Sequence, residues 1–85
     1  MKQYFVYLVE CADGTYYTGI ATDVGRRVLE HNSSPKGAKY TSARRPVTLK
    51  YQEICEGRSA ASKREHTIRT LSRKEKGFLI ESFTP

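Results

Sequence analysis

Residues 4–11, YFVYLVEC, are aromatic, β-branched and apolar with hardly a polar break, the pattern of a strand covered on both faces. ADG at 12–14 is a turn signal, and TYYTGIA at 15–21 returns as the second strand of a hairpin. Loop length decides which side chains share a face. A two-residue Asp13-Gly14 turn puts Tyr7 and Tyr17 on opposite faces. A three-residue loop, Ala12-Asp13-Gly14 with Gly14 left-handed, pairs Cys11 with Thr15, Val9 with Tyr17 and Tyr7 with Gly19. The longer loop is preferred, because it sets the Tyr7 ring opposite a residue with no side chain.

Residues 23–32, DVGRRVLEHN, predict a short helix with Thr22 as N-cap. At ~100° per residue, Val24, Arg27, Val28 and His31 fall on one face, with Arg26 and Glu30 pointing elsewhere. An arginine and a histidine thus share the stripe of the valines that dock on the sheet. SSPKGAKYTSARRP at 33–46 reads as a loop from its Pro, Gly and Ser content, and a loop so long in so small a domain tends to bind something. VTLKYQEIC at 47–55 predicts a third strand, with Val47, Leu49 and Tyr51 facing the core and a bulge or strand end at Ile54. A second helix is predicted from Ala60, capped by Ser59, to Leu71. Ala61, Glu65 and Ile68 share its inner face, so a carboxylate lies on an apolar stripe. Ser72 caps a last helix through KEKGFLIESF, whose Phe78, Leu79, Ile80 and Phe83 close the core. The predicted fold class is α+β: a three-stranded antiparallel sheet flanked by helices, in the order β-β-α-β-α-α.

The 85 residues suit one domain, near the lower limit for a self-sufficient core. No apolar run is long enough for a transmembrane span. MKQYFVYLVE enters the strand pattern directly, with no signal-peptide core, so the cytoplasm is the expected location. Cys11 and Cys55 make no disulfide framework, and with His31 and His66 they match no usual zinc spacing; reduced, mostly buried thiols are expected. Charge says more. Fifteen Lys and Arg oppose nine Asp and Glu, a formal net charge of +6. The excess is concentrated: Lys36, Lys39, Arg44, Arg45 and Lys50 lie between His31 and Gln52 with no acid among them, and a second basic zone runs from Arg58 to Lys76. Two such zones on a small body point to a polyanion partner, nucleic acid first, with solubility charge as the plain alternative.

The order of chemistry-bearing residues resembles that of the GIY-YIG nuclease domain over nearly the whole chain. The first half-signature stands as Phe5-Val6-Tyr7 and the second as Tyr17-Thr18-Gly19. Arg27 follows Gly19 on the next helix, His31 comes one turn later, and Glu65 lies on the helix after the third strand. The chain is most similar to small stand-alone members, in which YTG, RRxxEHN-like and RRPVxL-like stretches recur. It departs from the family pattern at Phe5, where the signature has glycine, and at Ile20, where many members have lysine. It also has no obvious counterpart of the asparagine that some members carry after the glutamate.

The resemblance implies a metal-dependent endonuclease that hydrolyses DNA, with Tyr7, Tyr17, Arg27, His31 and Glu65 catalytic and Gly19 structural at the site. Structured or single-stranded DNA and a repair- or recombination-like role are the expected setting. The chemistry suits the residue types. Arg27 offers a planar fork of donors to a phosphate and keeps its charge. Glu65, with water and substrate phosphate, is how a single Mg²⁺ (or Mn²⁺) is often held, and the metal would polarise the phosphoryl group and steady the departing oxygen. One tyrosine would deprotonate water while the other orients it, given cations that lower a phenol pKa of about 10; which does which stays open. His31 would relay a proton or hold the phosphate, and Gly19 would let the Tyr7 ring or a phosphate approach the strand. Lys36, Lys39, Arg44 and Arg45, with Tyr40, would contact the nucleic-acid backbone or a splayed base, DNA before RNA. The resemblance leaves room for a protein partner in target choice. The alternative reading is a nucleic-acid-binding module of the same fold with weak or no catalysis, and the plainest is a structural adaptor.

Overall fold

The computed structural model describes residues 3–83, with the element order β1 (Tyr4–Glu10), β2 (Tyr16–Ala21), α1 (Val24–Ser33), α2 (Lys39–Ser42), β3 (Thr48–Cys55), α3 (Arg58–Arg69) and α4 (Arg73–Glu81). The strands form one antiparallel sheet in the order β2-β1-β3. This is the predicted α+β architecture with one addition, the short helix α2 within the basic loop.

The hairpin takes the three-residue loop. Tyr7 pairs with Gly19 and Val9 with Tyr17, Cys11 N–H donates to the Thr15 carbonyl at 2.7 Å, and Gly14 has φ +84°. Alternation along β1 then sorts the core into two layers. Tyr7, Val9 and Cys11 face α1 with Val24 and Val47, while Val6 and Leu8 face α3 with Ala61 and Ile68. All but Cys11, Val24 and Val47 are 0–1% exposed, so the middle strand is buried on both sides, as its unbroken apolar run requires.

Four local expectations are corrected. The irregularity in the third strand lies at Lys50 rather than Ile54, because Leu8 pairs with Tyr51 and Val9 with Leu49. The extra residue flips the pleat, so Val47 and Leu49 pack in the α1 layer and Tyr51 in the α3 layer. Asp23, not Thr22, caps α1, its carboxylate accepting the Arg26 N–H at 3.0 Å. α3 starts after Gly57, two residues earlier than predicted, with no side-chain cap. Phe78 does not close the core: it is exposed on α4, while Leu79 and Ile80 pack against the α3 layer and Phe83 meets the Tyr51 ring edge-on. Ser72 caps α4 as predicted and forms a reciprocal capping box with Glu75.

Two devices tie α1 to the segments beyond its C-terminal end. Asn32 exchanges both its amide bonds with the backbone of Val47, accepting from N–H at 2.7 Å and donating to C=O at 3.0 Å, so the end of α1 substitutes for a strand neighbour. Arg45 donates to the carbonyls of His31 and Ser34, each at 2.6 Å, satisfying the open C-terminal end of the helix. Both thiols are free, Cys11 in the α1 layer and Cys55 packed on the other. Among the described residues no helix is long and apolar enough to cross a membrane.

Candidate active site

β2 is an edge strand, and the site forms along that edge, where α1 and α3 approach it from opposite faces. Tyr16, Tyr17 and Thr18 line a cleft of about 310 Å³ together with Tyr40, Glu65, Arg69 and Lys76. Farther along the strand Ile20 and Ala21 line a second cleft of about 250 Å³, closed on the other side by Arg26, Arg27 and Glu30. Gly19 stands between the two along β2. A Cβ built there would lie 2.5 Å from Tyr7 Oη and 2.6 Å from its Cζ, so the Tyr7 ring fills the space that any side chain at 19 would claim.

Tyr7 is 1% exposed and its hydroxyl lies 2.7 Å from His31 Nε2. Burial pushes its pKa up to about 12; the Tyr17 phenol and the Glu65 charge add to the rise, and the Arg27 guanidinium opposes it without prevailing. The expectation that cations lower this phenol is therefore not met by Arg27 alone. His31 is fully buried. Burial holds its pKa below the ordinary value, Arg27 and Arg45 deepen the drop and Glu30 resists it, so at neutral pH the imidazole is uncharged. Its other nitrogen, Nδ1, is 2.8 Å from Thr41 Oγ1. Tyr17 is half-buried, edge-on to the His31 ring, and faces the cleft.

Arg27 Nη1 donates to Glu30 Oε1 at 3.0 Å and to the Lys36 carbonyl at 2.8 Å. Burial works against its charge, but the bond to Glu30 and the Tyr7 phenol outweigh it and raise its pKa. Helix periodicity explains this placement, since the stripe that seats Val24 and Val28 on the sheet carries Arg27 and His31 to the sheet's edge. Glu65 reaches the cleft from the opposite layer, one turn from both Ala61 and Ile68, which anchor α3. Among the described residues it makes no ion pair, although Arg69 and Lys76 line the same cleft. The described residues contain no cluster of three or more His, Cys, Asp or Glu. A single half-buried carboxylate with open space beside it suits Mg²⁺ or Mn²⁺ completed by water and phosphate, and is a poor fit to an all-protein zinc cage.

The predicted binding residues divide. Tyr40 stacks on Tyr17, ring centroids 6.1 Å apart at 24°, and the Arg44 guanidinium lies 3.9 Å from the centroid of the Tyr40 ring. Arg44 is also bound to Asp13 at 3.1 Å. Lys36 and Lys39 are exposed, whereas Arg45 turns its donors inward to α1. Sequence reasoning missed Arg69, Lys76 and Thr41. Arg69 was findable, four residues after Glu65 on the same helix face; Thr41 was not, because its partner is a ring ten residues away across a loop.

Comparisons with known proteins give the family and the fold. The family model of the GIY-YIG catalytic domain matches residues 3–78. A UPF0213 protein of Desulfotalea psychrophila is 58% identical over 79 residues, 93% of this chain and 72% of that protein. One from Halobacterium salinarum is 55% identical over 75 residues, 88% of this chain and 96% of its own. Among solved structures, the solution structure of a protein from E. faecalis superposes with a TM-score of 0.64 at 41% identity, covering 98% of this chain and 88% of the other. That of a UPF0213 protein from Bacillus halodurans gives 0.58 at 40%, covering 93% and 83%. The chain belongs to the GIY-YIG catalytic-domain family, alongside the small UPF0213 proteins.

Proposed function

We propose that this protein is a divalent-metal-dependent endonuclease that cuts DNA by direct attack of water on phosphorus. The observation that carries the reading is the gathering of Tyr7, Tyr17, Arg27, His31 and Glu65 at the open edge of β2. Tyr17 and Glu65 share one cleft, Arg27 opens on the next, and the Tyr7 hydroxyl lies at Gly19 between them. Family membership supports nuclease chemistry in general; the metal and the choice of DNA are this reading's own.

In the proposed reaction the phosphate lies along the edge strand. Arg27 offers it the donors not committed to Glu30 and Lys36, and holds it in line. Tyr17, the phenol that faces the cleft, meets the substrate. Tyr7 passes its proton to His31 Nε2 as its oxygen receives one from the attacking water. A phenol with a pKa of about 12 is a weak base by itself, so the imidazole 2.7 Å away is what makes that transfer workable. Glu65 would hold the Mg²⁺ or Mn²⁺, which supplies Lewis-acid stabilisation of charge on phosphorus and on the departing oxygen. Water adds to phosphorus, the P–O bond to the leaving sugar oxygen breaks, and that oxygen regains a proton from solvent. Lys36, Lys39 and Tyr40 would bind the flanking strand, with Arg69 and Lys76 on the Glu65 side.

The test is cleavage of a panel of branched, flapped and single-stranded DNAs, with RNA controls, in Mg²⁺, Mn²⁺ and EDTA. Cutting should require the metal and fall at least ~100-fold in Glu65→Ala, the scale of losing one major electrostatic contribution. Equal trace activity in both proteins would end the reading. Salt-sensitive binding without cleavage would instead mark a binding module.

A further inference from the structure

Behind His31 lies a second hydroxyl whose hydrogen bonds leave little freedom. Thr41 is fully buried, as is His31. Three short contacts run in a line from the catalytic phenol: Tyr7 Oη to His31 Nε2 at 2.7 Å, His31 Nδ1 to Thr41 Oγ1 at 2.8 Å, and Thr41 Oγ1 to the Ala38 carbonyl at 2.9 Å. A carbonyl only accepts, so the Thr41 proton fills the last contact. Thr41 oxygen must then accept from Nδ1–H, which leaves Nε2 a bare acceptor for the Tyr7 proton. The opposite tautomer sends Nε2–H to Tyr7 and turns the Thr41 proton to Nδ1, leaving two oxygens facing each other at 2.9 Å with no proton between them. It does give the Ala38 N–H an acceptor at Nδ1, 3.3 Å away, and the Nδ1–H tautomer gives up that longer contact in favour of the shorter ones at 2.8 and 2.9 Å.

We propose that Thr41 is a positioning residue for catalysis: it holds His31 in the Nδ1–H tautomer, so that Nε2 stands ready to take the proton of Tyr7. The inference rests on the endonuclease reading for its purpose, but not for its chemistry. When the Tyr7 proton moves, the O–H bond breaks, an N–H bond forms on Nε2, and the resulting imidazolium keeps its Nδ1–H bond to Thr41. The charges facing this ring are Arg27 and Glu30 from α1 and Arg45 from the segment after α2, with the phenols of Tyr7 and Tyr17 from the sheet. Nδ1 itself meets Thr41 Oγ1 and the Ala38 N–H. The fold brings the two segments unusually close here. A Cβ at Gly37 would lie 2.8 Å from the Glu30 carbonyl and 2.9 Å from His31 Cα, so only glycine lets the chain before α2 press onto α1 at this point.

The imidazole nitrogens report the answer directly. In ¹⁵N-labelled protein carrying His66→Gln, His31 is the sole imidazole, since the chain has two histidines, and long-range ¹H–¹⁵N correlations distinguish its tautomers. The expected spectrum shows a protonated Nδ1 and a bare Nε2, against the preference of a free histidine side chain for Nε2–H. Thr41→Val, which keeps the shape and removes the acceptor, should shift the ring toward Nε2–H and lower kcat roughly 10- to 100-fold with KM little changed. Thr41→Ser should retain the wild-type tautomer and most of the rate. A wild-type ring protonated on Nε2 overturns the proposal, as does Thr41→Val with unaltered tautomer and rate. If Thr41→Val does not fold, the wild-type and Thr41→Ser spectra decide it. If the wild-type chain cuts no nucleic acid, the endonuclease reading fails while the same spectra still decide the Thr41 assignment.

Discussion

Tyr7 and Gly19 are one feature rather than two. The phenol occupies the volume of the missing side chain, at distances no Cβ tolerates, so Gly19→Ala must displace a ring sealed between α1 and the sheet. Overpacking of this kind costs roughly 1–3 kcal/mol, and urea denaturation should find that loss together with a fall in cleavage rate. His31 gives a pH signature. Its folded pKa lies below the unfolded value of about 6.5 because the ring is buried. Just below that pH the unfolded chain binds a proton the folded chain refuses, so stability declines as the pH is lowered through this window. Urea midpoints taken from about pH 7.5 down to about 5 should show the decline in the wild type and less of it in His31→Gln; identical pH slopes would contradict the burial argument.

At the level of elements, α1 does the most for the site. Its sheet-facing stripe delivers Arg27 and His31, its end is tied to β3 through Asn32 and Val47, and its last carbonyls are held by Arg45. Asn32→Ala leaves the N–H and C=O of buried Val47 without those partners, which should lower stability by about 1–3 kcal/mol. The loss should appear in denaturant midpoints and in faster hydrogen exchange at the start of β3. The hairpin register was legible in advance, since only the three-residue loop places Tyr7 against a glycine. Helix α2 was not. KYTS has no cap of its own and only four residues, and it persists because Thr41 is buried against His31. The bulge at Lys50 was equally hidden: strand alternation looks regular through Tyr51, and only pairing with β1 exposes the extra residue.

Across the whole molecule, α2, α3 and α4 bring Tyr40, Arg69 and Lys76 to the cleft at the β2 edge. Lys36, Lys39, Tyr40 and Arg44 come from the segment that covers α1, and Arg69 and Lys76 from the helices on the other side of β2. A nucleic acid bound along that edge would release counterions at each contact. The slope of log K against log salt should fall in magnitude by about 1 for each of Lys36→Ala and Lys39→Ala if each touches a phosphate. Arg45→Ala should behave differently, lowering stability by removing the cap of α1, with little effect on the slope. Equal slopes for wild type and the Lys36→Ala/Lys39→Ala double variant would place the nucleic acid elsewhere. Leu8 sits at the centre of the α3 layer, 0% exposed, and Leu8→Ala should cost about 2–5 kcal/mol. In a domain this small that is enough to populate the unfolded state at room temperature.

Local pattern was enough for the two-sided middle strand and for preferring one hairpin register over the other, because these follow from side-chain period and turn chemistry over a few neighbours; the paired register itself is seen only in the folded sheet. Packing in three dimensions settled which side chains meet. Glu65 and Tyr17 belong to opposite layers of the sheet and share a cleft only because β2 is its edge. Arg45, read as a nucleic-acid contact, faces inward because the end of α1 leaves its carbonyls open. Thr41 meets the His31 ring where Gly37 lets two segments close on each other. Distances between residues far apart in the chain depend on how layers pack, and the order of residues along it carries no record of that.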